Sequence, residues 1–513
     1  MRAPEPSWLV ALNSGGLRVV ERSALGKALV SECMSFDPDH AVAPLRRSNP
    51  GLRMGSRPPR AVLLVAVAAS TALSNFPARA EEPPAKAEEP QPGASSWGLP
   101  SVPGLEYQFH LDASWGTFGF HNSFYTNPKP DEPSGNLGDH WFEGALKAGL
   151  SVSYSSRAGE IYGKITAAGE RTYGAPPSVV GESASSFQLD DLHLGWRSGK
   201  LLGDLGENAI DFKVGRAPFQ LGHGFLIWDG TAEGGSRGGY WTNVRKTFEF
   251  ASIGRLQTGA HTFEAFYLVR DELPEATTGT RLLGFNYELS LGKATTLGAT
   301  YLRAFAHPDE KPTRNGLNVY NLRVYTAPFS SLPGLSFEAE YAREHNGSLL
   351  DSTAWTIQGS YELSVPWKPR LSYRFAFFQG DDPATERSEE FDPFFPGGYD
   401  WGTWWQGEIA GEYFVSNSNL LSHQVRLHLA PSEKLGTGLI FYRFLLDQPA
   451  SLASGVTSDS LASELDWYAD WKPNAHFSFS FVVAWATPGD AVAQAYGRTK
   501  DFWYGMVFAA YSY

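Results

Sequence analysis

From Leu105 the chain alternates strictly: Leu105, Tyr107, Phe109, Leu111, Ala113 and Trp115 are separated by Glu106, Gln108, His110, Asp112 and Ser114. A β-strand turns successive side chains to opposite faces, so this pattern predicts a strand with one apolar and one polar face. Segments of this kind, about ten residues long, recur to the C-terminus between Gly, Pro, Asn and Asp, as in a transmembrane barrel with lipid outside and a polar lumen inside. Trp355, Ile357, Tyr361 and Leu363 oppose Thr356, Gln358, Ser360 and Glu362 in one; Leu465, Trp467 and Trp471 oppose Glu464, Asp466 and Asp470 in another. The face Ala475, Phe477, Phe479, Phe481, Val483 and Trp485 opposes His476, Ser478 and Ser480. A soluble sandwich would bury the second face against another layer, and these polar faces carry too many charges for a core. About nineteen segments can be counted, and single-chain bacterial barrels have even numbers, so the expected fold is an all-β, antiparallel, up-and-down barrel of 18 strands.

The last segment, Trp503, Gly505, Val507, Ala509, Tyr511 and Tyr513, ends on an aromatic residue. This is the form expected of a strand recognised by the outer-membrane assembly machinery. Composition agrees with a barrel, since aromatics are 14% of residues and there are 53 glycines but only 4 methionines. The one continuous apolar stretch, Ala61 to Phe76, is shorter than the roughly 20 residues of a spanning helix. With Arg53, Arg57 and Arg60 before it and Ala78-Arg79-Ala80 after it, it reads as a signal peptide. Met54 is then the expected start, with residues 1–53 an N-terminal extension, 54–80 the signal peptide, 81–104 a Pro/Glu-rich periplasmic leader and 105–513 the barrel. The only cysteine, Cys33, precedes the mature part. The chain has 42 basic and 55 acidic residues, which fall to 32 and 50 once residues 1–80 are set aside, giving a net charge near −18 and making nucleic acid an unsuitable partner.

Two long blocks carry a resemblance. One is Phe212-Lys213-Val214-Gly215-Arg216, continuing through Gly222-His223-Gly224 to Tyr240-Trp241-Thr242-Asn243-Val244-Arg245-Lys246-Thr247-Phe248-Glu249. The other is Gln379-Gly380-Asp381-Asp382 followed by Glu390-Phe391-Asp392-Pro393-Phe394-Phe395-Pro396-Gly397-Gly398, with a weaker match at Ser463-Glu464-Leu465-Asp466-Trp467-Tyr468. Together they resemble the alginate-export family of outer-membrane porins over most of Leu105 to Tyr513. The resemblance implies an 18-stranded monomeric pore in the bacterial outer membrane, with both blocks contributing loops and lumen contacts. Tyr240 and Glu249 replace aspartates of the family pattern, and the first loop is longer and richer in glycine; these departures bear on the solute rather than the architecture.

Taking each polar face as the lumen gives the basic candidates Lys147, Lys164, Arg197, Lys213, Arg255, Arg323, Arg370, Arg374, Arg426 and Lys472. The acidic set is larger and includes Glu143, Glu170, Asp191, Glu249, Glu408 and Glu412. Arginine suits a polyuronate because its planar fork binds carboxylates bidentately, whereas the acidic surplus favours a general or cation-preferring porin. Arg370 and Arg374 share one face with no local partner in sequence. Strict alternation puts Arg216 on the lipid side, unless a bulge at Gly215 turns it inward. The glycine-rich loop Gly222 to Lys246 reads equally as an internal constriction or an external loop. Trp401, Trp404 and Trp405 are expected in an aromatic girdle.

No catalytic serine–histidine set emerges; His121-Asn122-Ser123 reads as a turn. No metal-ligand spacing or cofactor motif is present. The leading expectation is passive passage of a hydrophilic, anionic solute such as alginate, another acidic polysaccharide or its fragments. A general or cation-preferring porin is the main alternative, and a barrel enzyme acting on outer-membrane lipid is a further one.

Overall fold

The computed structural model of the chain describes residues 8–13, 16–21, 102–123, 139–174, 176–177, 183–397, 406–497 and 499–513. The expected signal peptide, nearly all of the expected leader, and Trp401, Trp404 and Trp405 lie outside them. Near the N-terminus, β1 (Trp8–Asn13) and β2 (Gly16–Glu21) pair antiparallel as a hairpin.

Eighteen further strands follow: β3 (Leu105–His121), β4 (Asp139–Ser156), β5 (Gly159–Tyr173), β6 (Ser183–Arg197), β7 (Ile210–Arg216), β8 (Phe250–Thr258), β9 (His261–Val269), β10 (Arg281–Leu291), β11 (Thr295–Phe305), β12 (Asn318–Thr326), β13 (Leu335–Asn346), β14 (Leu350–Glu362), β15 (Arg370–Phe378), β16 (Leu420–Ser432), β17 (Leu435–Leu445), β18 (Ser460–Trp471), β19 (Phe477–Pro488) and β20 (Phe502–Ser512). Each pairs antiparallel with its sequence neighbours, and β20 closes on β3 through register pairs such as Trp503 with His121 and Tyr511 with Ala113. Closure leaves the sheet no open edge, so its backbone groups are satisfied within hydrocarbon.

Alternation sets the two faces. Leu194, Leu322 and Leu371 are 59%, 59% and 57% exposed, and Trp355, Ile357, Tyr361, Val483 and Trp485 also point out. This apolar surface is buried only when lipid surrounds the barrel. Inward positions between them are small or polar, as at Ala354, Ser360, Asp466 and Ala484. Stacked outward pairs such as Trp485 with Trp503, 5.4 Å between centroids, sit where amphipathic rings favour an interface.

The even strand number brings both barrel termini to one end. Connections at that end are short, two residues at 157–158, 259–260 and 433–434, whereas 217–249 and 379–419 connect strands at the other. Short turns mark the periplasmic end of such barrels and long loops the outer end.

One irregularity shapes the interior. Ile165 pairs with Leu192 and Ala167 with Leu189, so Thr166 faces both Asp190 and Asp191. This bulge turns two consecutive carboxylates inward, 1% and 4% exposed, and restarts the alternation with Leu192 outward.

Candidate functional site in the lumen

The periplasmic half of the lumen is lined by partly exposed ion pairs. Lys164 lies 3.6 Å from Asp191, and Arg197 reaches Asp211 at 3.1 Å and Glu160 at 3.8 Å. Arg255 pairs with Glu264 at 3.5 Å and is 48% exposed. Pairs this exposed add little stability and remain available to solute.

The outer half is packed with protein. Loop 217–249 folds inward and binds strand after strand through its backbone N–H groups. Trp241 and Thr242 donate to Glu143 of β4, both at 2.9 Å; Val244 donates to Glu170 of β5 at 3.0 Å; Lys246 donates to Asp190 of β6 at 3.1 Å. On the opposite wall His223 stacks on Tyr325 of β12, 3.7 Å between centroids, with its Nδ1 3.2 Å from Glu338 of β13. The choice between internal and external loop is thus resolved: the glycine-rich segment folds into the lumen. Close approach explains some of its glycines. At Gly224, with φ of 90°, a Cβ would stand 2.8 Å from the Gly397 carbonyl oxygen.

That carbonyl belongs to the second loop, 379–419, which packs on the first. Trp228 donates to Phe395 O at 2.7 Å and Phe395 to Leu226 O at 3.0 Å. Phe225, Phe378 and Phe391 cluster between the loops, with Phe248 6.0 Å from Phe395. Arg270 and Arg314 lie over the rings of Phe395 and Phe394 at 4.1 and 5.1 Å. Burial lowers Arg270 to about 10, so even this arginine stays charged at neutral pH. Further along, the N–H groups of Ile409 and Ala410 donate to Glu464 of β18, each at 2.8 Å.

Arg245 is the hub of the first loop. Fully buried, it lies 2.8 Å from Glu233, 3.0 Å from Asp271 and 3.0 Å from Gln188. Asp271 also receives Arg216 and Arg237. Burial alone would raise the Asp271 carboxyl, but the three guanidinium groups outweigh it and hold it below the usual range. Burial and the neighbouring Glu170 carboxyl push Glu233 the other way, up to about 9.

The sequence candidates separate accordingly. Lys164, Arg197 and Arg255 stand in the inner half. Lys147 is tied to Asp190 at 3.1 Å and to Val244 O at 3.0 Å, and Lys213 to Pro218 O at 3.3 Å. Arg323 is enclosed by Glu288, Asn286, Thr300 and Asn321. Arg426 donates to the Tyr468 hydroxyl at 2.9 Å. Arg370 and Arg374, without a partner nearby in sequence, gain neighbours from register: Glu362 and His428 flank Arg370, and Gln358 and Gln424 flank Arg374. Arg374 also borders a small cavity beneath the His223 tip.

Arg216 turns inward, but without the bulge expected at Gly215, since Gly215 and Arg216 keep their register with His193 and Leu192. The cause is the φ of 124° at Gly215, the penultimate residue of β7, where a Cβ would fall 2.2 Å from Leu192 O. Glu408 and Glu412, expected on a strand face, instead occupy a short helical segment, with a π-turn over Gly407–Gly411, and Glu408 is fully buried there. Alternating polarity in a segment capped by glycines misled the reading. Glu249 is exposed at the entry to β8, outside the packed loop interior, because Phe248 takes the buried position before it. Arg237, Arg245 and Arg314 were missed because they lie in loops, although Arg245 stands within the Tyr240–Glu249 block that carried the resemblance.

The alginate export family model matches residues 178–505, more than half of the chain. The protein belongs to the alginate export family. It is an outer-membrane channel of porin type. The matched span takes in both inserted loops and the Arg245 hub. Solved barrels with similar outlines include Pseudomonas aeruginosa OpdQ, 9% identical, with a TM-score of 0.48 over 79% of this chain and 97% of that one. Acinetobacter baumannii OccAB4 is 10% identical, with a TM-score of 0.47 over 79% and 98%. At these scores the likeness carries nothing about solute. Comparison with curated proteins gives no match.

Proposed function

We propose that this alginate export family member passes a hydrophilic, anionic solute, alginate or another acidic polysaccharide or its fragments, by passive diffusion and as a monomer. The observation that carries the reading is the family match over both inserted loops. The partly exposed guanidinium groups of Arg197 and Arg255 support it, since they offer carboxylates weak sites at the mouth of the packed region. Recognition of β20 by the assembly machinery is part of the same proposal, supported by its unbroken alternation toward Tyr513.

A general or cation-preferring porin is favoured by one specific observation: Lys164, Arg197 and Arg255 each face a carboxylate. Planar-bilayer reversal potentials under a salt gradient separate the two. Under the anionic reading, replacing Arg370 and Arg374 with glutamine shifts the reversal potential toward cations. The shift shrinks at high salt, as the Debye length falls from about 10 Å at 0.1 M to about 3 Å at 1 M. An unchanged potential at low salt selects the alternative.

A further inference from the structure

The outward face of the barrel carries a charge pattern that solute passage does not require. Arg171, Arg281, Arg303, Arg343 and Arg443 are the arginines on the lipid-facing positions of the described strands, and all five stand at the long-loop end. Arg171 lies over Tyr173 at 4.5 Å and Arg443 donates to Ser460 and Ser463, while Arg303 lies more loosely over Phe305 at 5.6 Å. Arg281, Arg303 and Arg343 form one band across β10 to β13. In register, Arg281 of β10 faces Phe305 of β11, two residues from Arg303; Arg303 faces Asn318 of β12; and Asn318 faces His345 of β13, two residues from Arg343.

Arg281 and Arg303, diagonal neighbours on adjacent strands, are about 7–8 Å apart; Arg343 stands two strands beyond Arg303 in the same band, and β10 to β13 span about 14 Å. Arg281, Arg303 and Arg343 are exposed, as is Arg387 in the adjoining loop. One outward carboxylate serves them: Asp351 lies 3.1 Å from both Arg343 and Arg387. Two of these four guanidinium groups thus share the Asp351 carboxylate, and Arg281 and Arg303 have no ion-pair partner among the described residues, above an exposed apolar wall that includes Leu283, Phe285, Tyr320 and Leu322. Like charges as close as Arg281 and Arg303 are unfavourable unless an anion lies between them.

We infer that this patch docks a phosphorylated lipid of the outer leaflet, its headgroup phosphates held by Arg281, Arg303 and Arg343 and its acyl chains laid along the wall beneath. Arginine forks pair bidentately with phosphate, and the position, outward and at the outer end, is reached from the bilayer rather than from the lumen. The site is independent of which solute the channel passes.

The test uses the full-length protein purified in detergent and mixed with a bisphosphorylated acylated disaccharide lipid, its dephosphorylated form, or phosphatidylcholine. Native mass spectrometry counts the retained lipid. Retention should favour the bisphosphorylated form and fall about tenfold or more in R281Q/R303Q, which loses two charge-assisted contacts. It should fall less in R281K/R303K, which keeps the charges but loses the forks, and be kept in R171Q/R443Q, with single-channel conductance unchanged in every variant. Equal retention of the dephosphorylated lipid or phosphatidylcholine overturns the proposal, as does an equal loss in R171Q/R443Q. Displacement by inorganic phosphate at equal concentration overturns the lipid assignment. If R281Q/R303Q does not fold, the comparison of phosphorylated with dephosphorylated lipid on the unsubstituted protein decides.

Discussion

Replacing Arg245 with methionine should release the first loop from the lumen wall. The side chain is fully buried and touches Glu233, Asp271 and Gln188, so methionine fills much of its volume while removing every charged contact. Breaking a buried ion pair from one side costs about 3–5 kcal/mol. The lower end applies here: Asp271 keeps Arg216 and Arg237, and Glu233, with its carboxyl near 9, is largely neutral at pH 7. About 3 kcal/mol raises the undocked-to-docked ratio roughly a hundredfold, since each 1.4 kcal/mol is a factor of ten. The barrel strands are untouched, so the variant should still fold and migrate as a compact, heat-modifiable band. Single-channel recording should show larger, noisier openings, and limited trypsin digestion should cut at Arg237 or Lys246. Currents and protease resistance like those of the parent would refute the role given to Arg245 and, with it, the picture of a loop held by buried charge.

Other perturbations test other parts of the account. Val483→Arg, on the lipid-facing side midway along β19, should destabilise the barrel by about 2–4 kcal/mol, while Ser480→Arg, facing Asp470, should change little; equal effects in vesicle unfolding would reverse the facing assignment. Gly215→Ala should cost about 1–3 kcal/mol by forcing a side chain into a positive-φ site and should displace Arg216 from Asp271, read as a lowered unfolding midpoint. Loop docking should weaken at both pH extremes. Asp271, held low, contributes stability present above the ordinary carboxylate range and lost as pH falls through its depressed value. Glu233, held high, contributes stability present below that range and lost as pH rises through about 9; tryptophan fluorescence and channel noise against pH would show both limbs. Mass spectrometry of membrane-extracted protein should find a mature start at Glu81, and peptides from residues 1–53 would contradict it.

The barrel was legible because period two is a property of each strand alone. Trp355, Ile357 and Tyr361 had to share a face whatever their neighbours, and 18 strands followed from counting such faces under an even-number rule. What alternation could not carry was any place where the backbone departs from it. The bulge opposite Thr166 turns Asp190 inward beside Asp191, and the π-turn at Gly407 removes Glu408 from any strand face. The inserted loops were half legible. Their glycines and aromatics marked them as unusual, but which wall each residue meets depends on contacts nearly a hundred residues apart, such as Trp241 with Glu143. For the same reason the partners of Arg370 and Arg374 came from strand register and not from their own segment.

Charged solute should cross a lumen narrowed by these two loops. Purified protein in a planar bilayer, with oligouronate added to one side, tests it most directly. Discrete channel openings are expected, interrupted in a concentration-dependent way by the oligouronate and left unaffected by a neutral oligosaccharide of equal length. A membrane that stays non-conducting, or currents interrupted equally by both sugars, would contradict it.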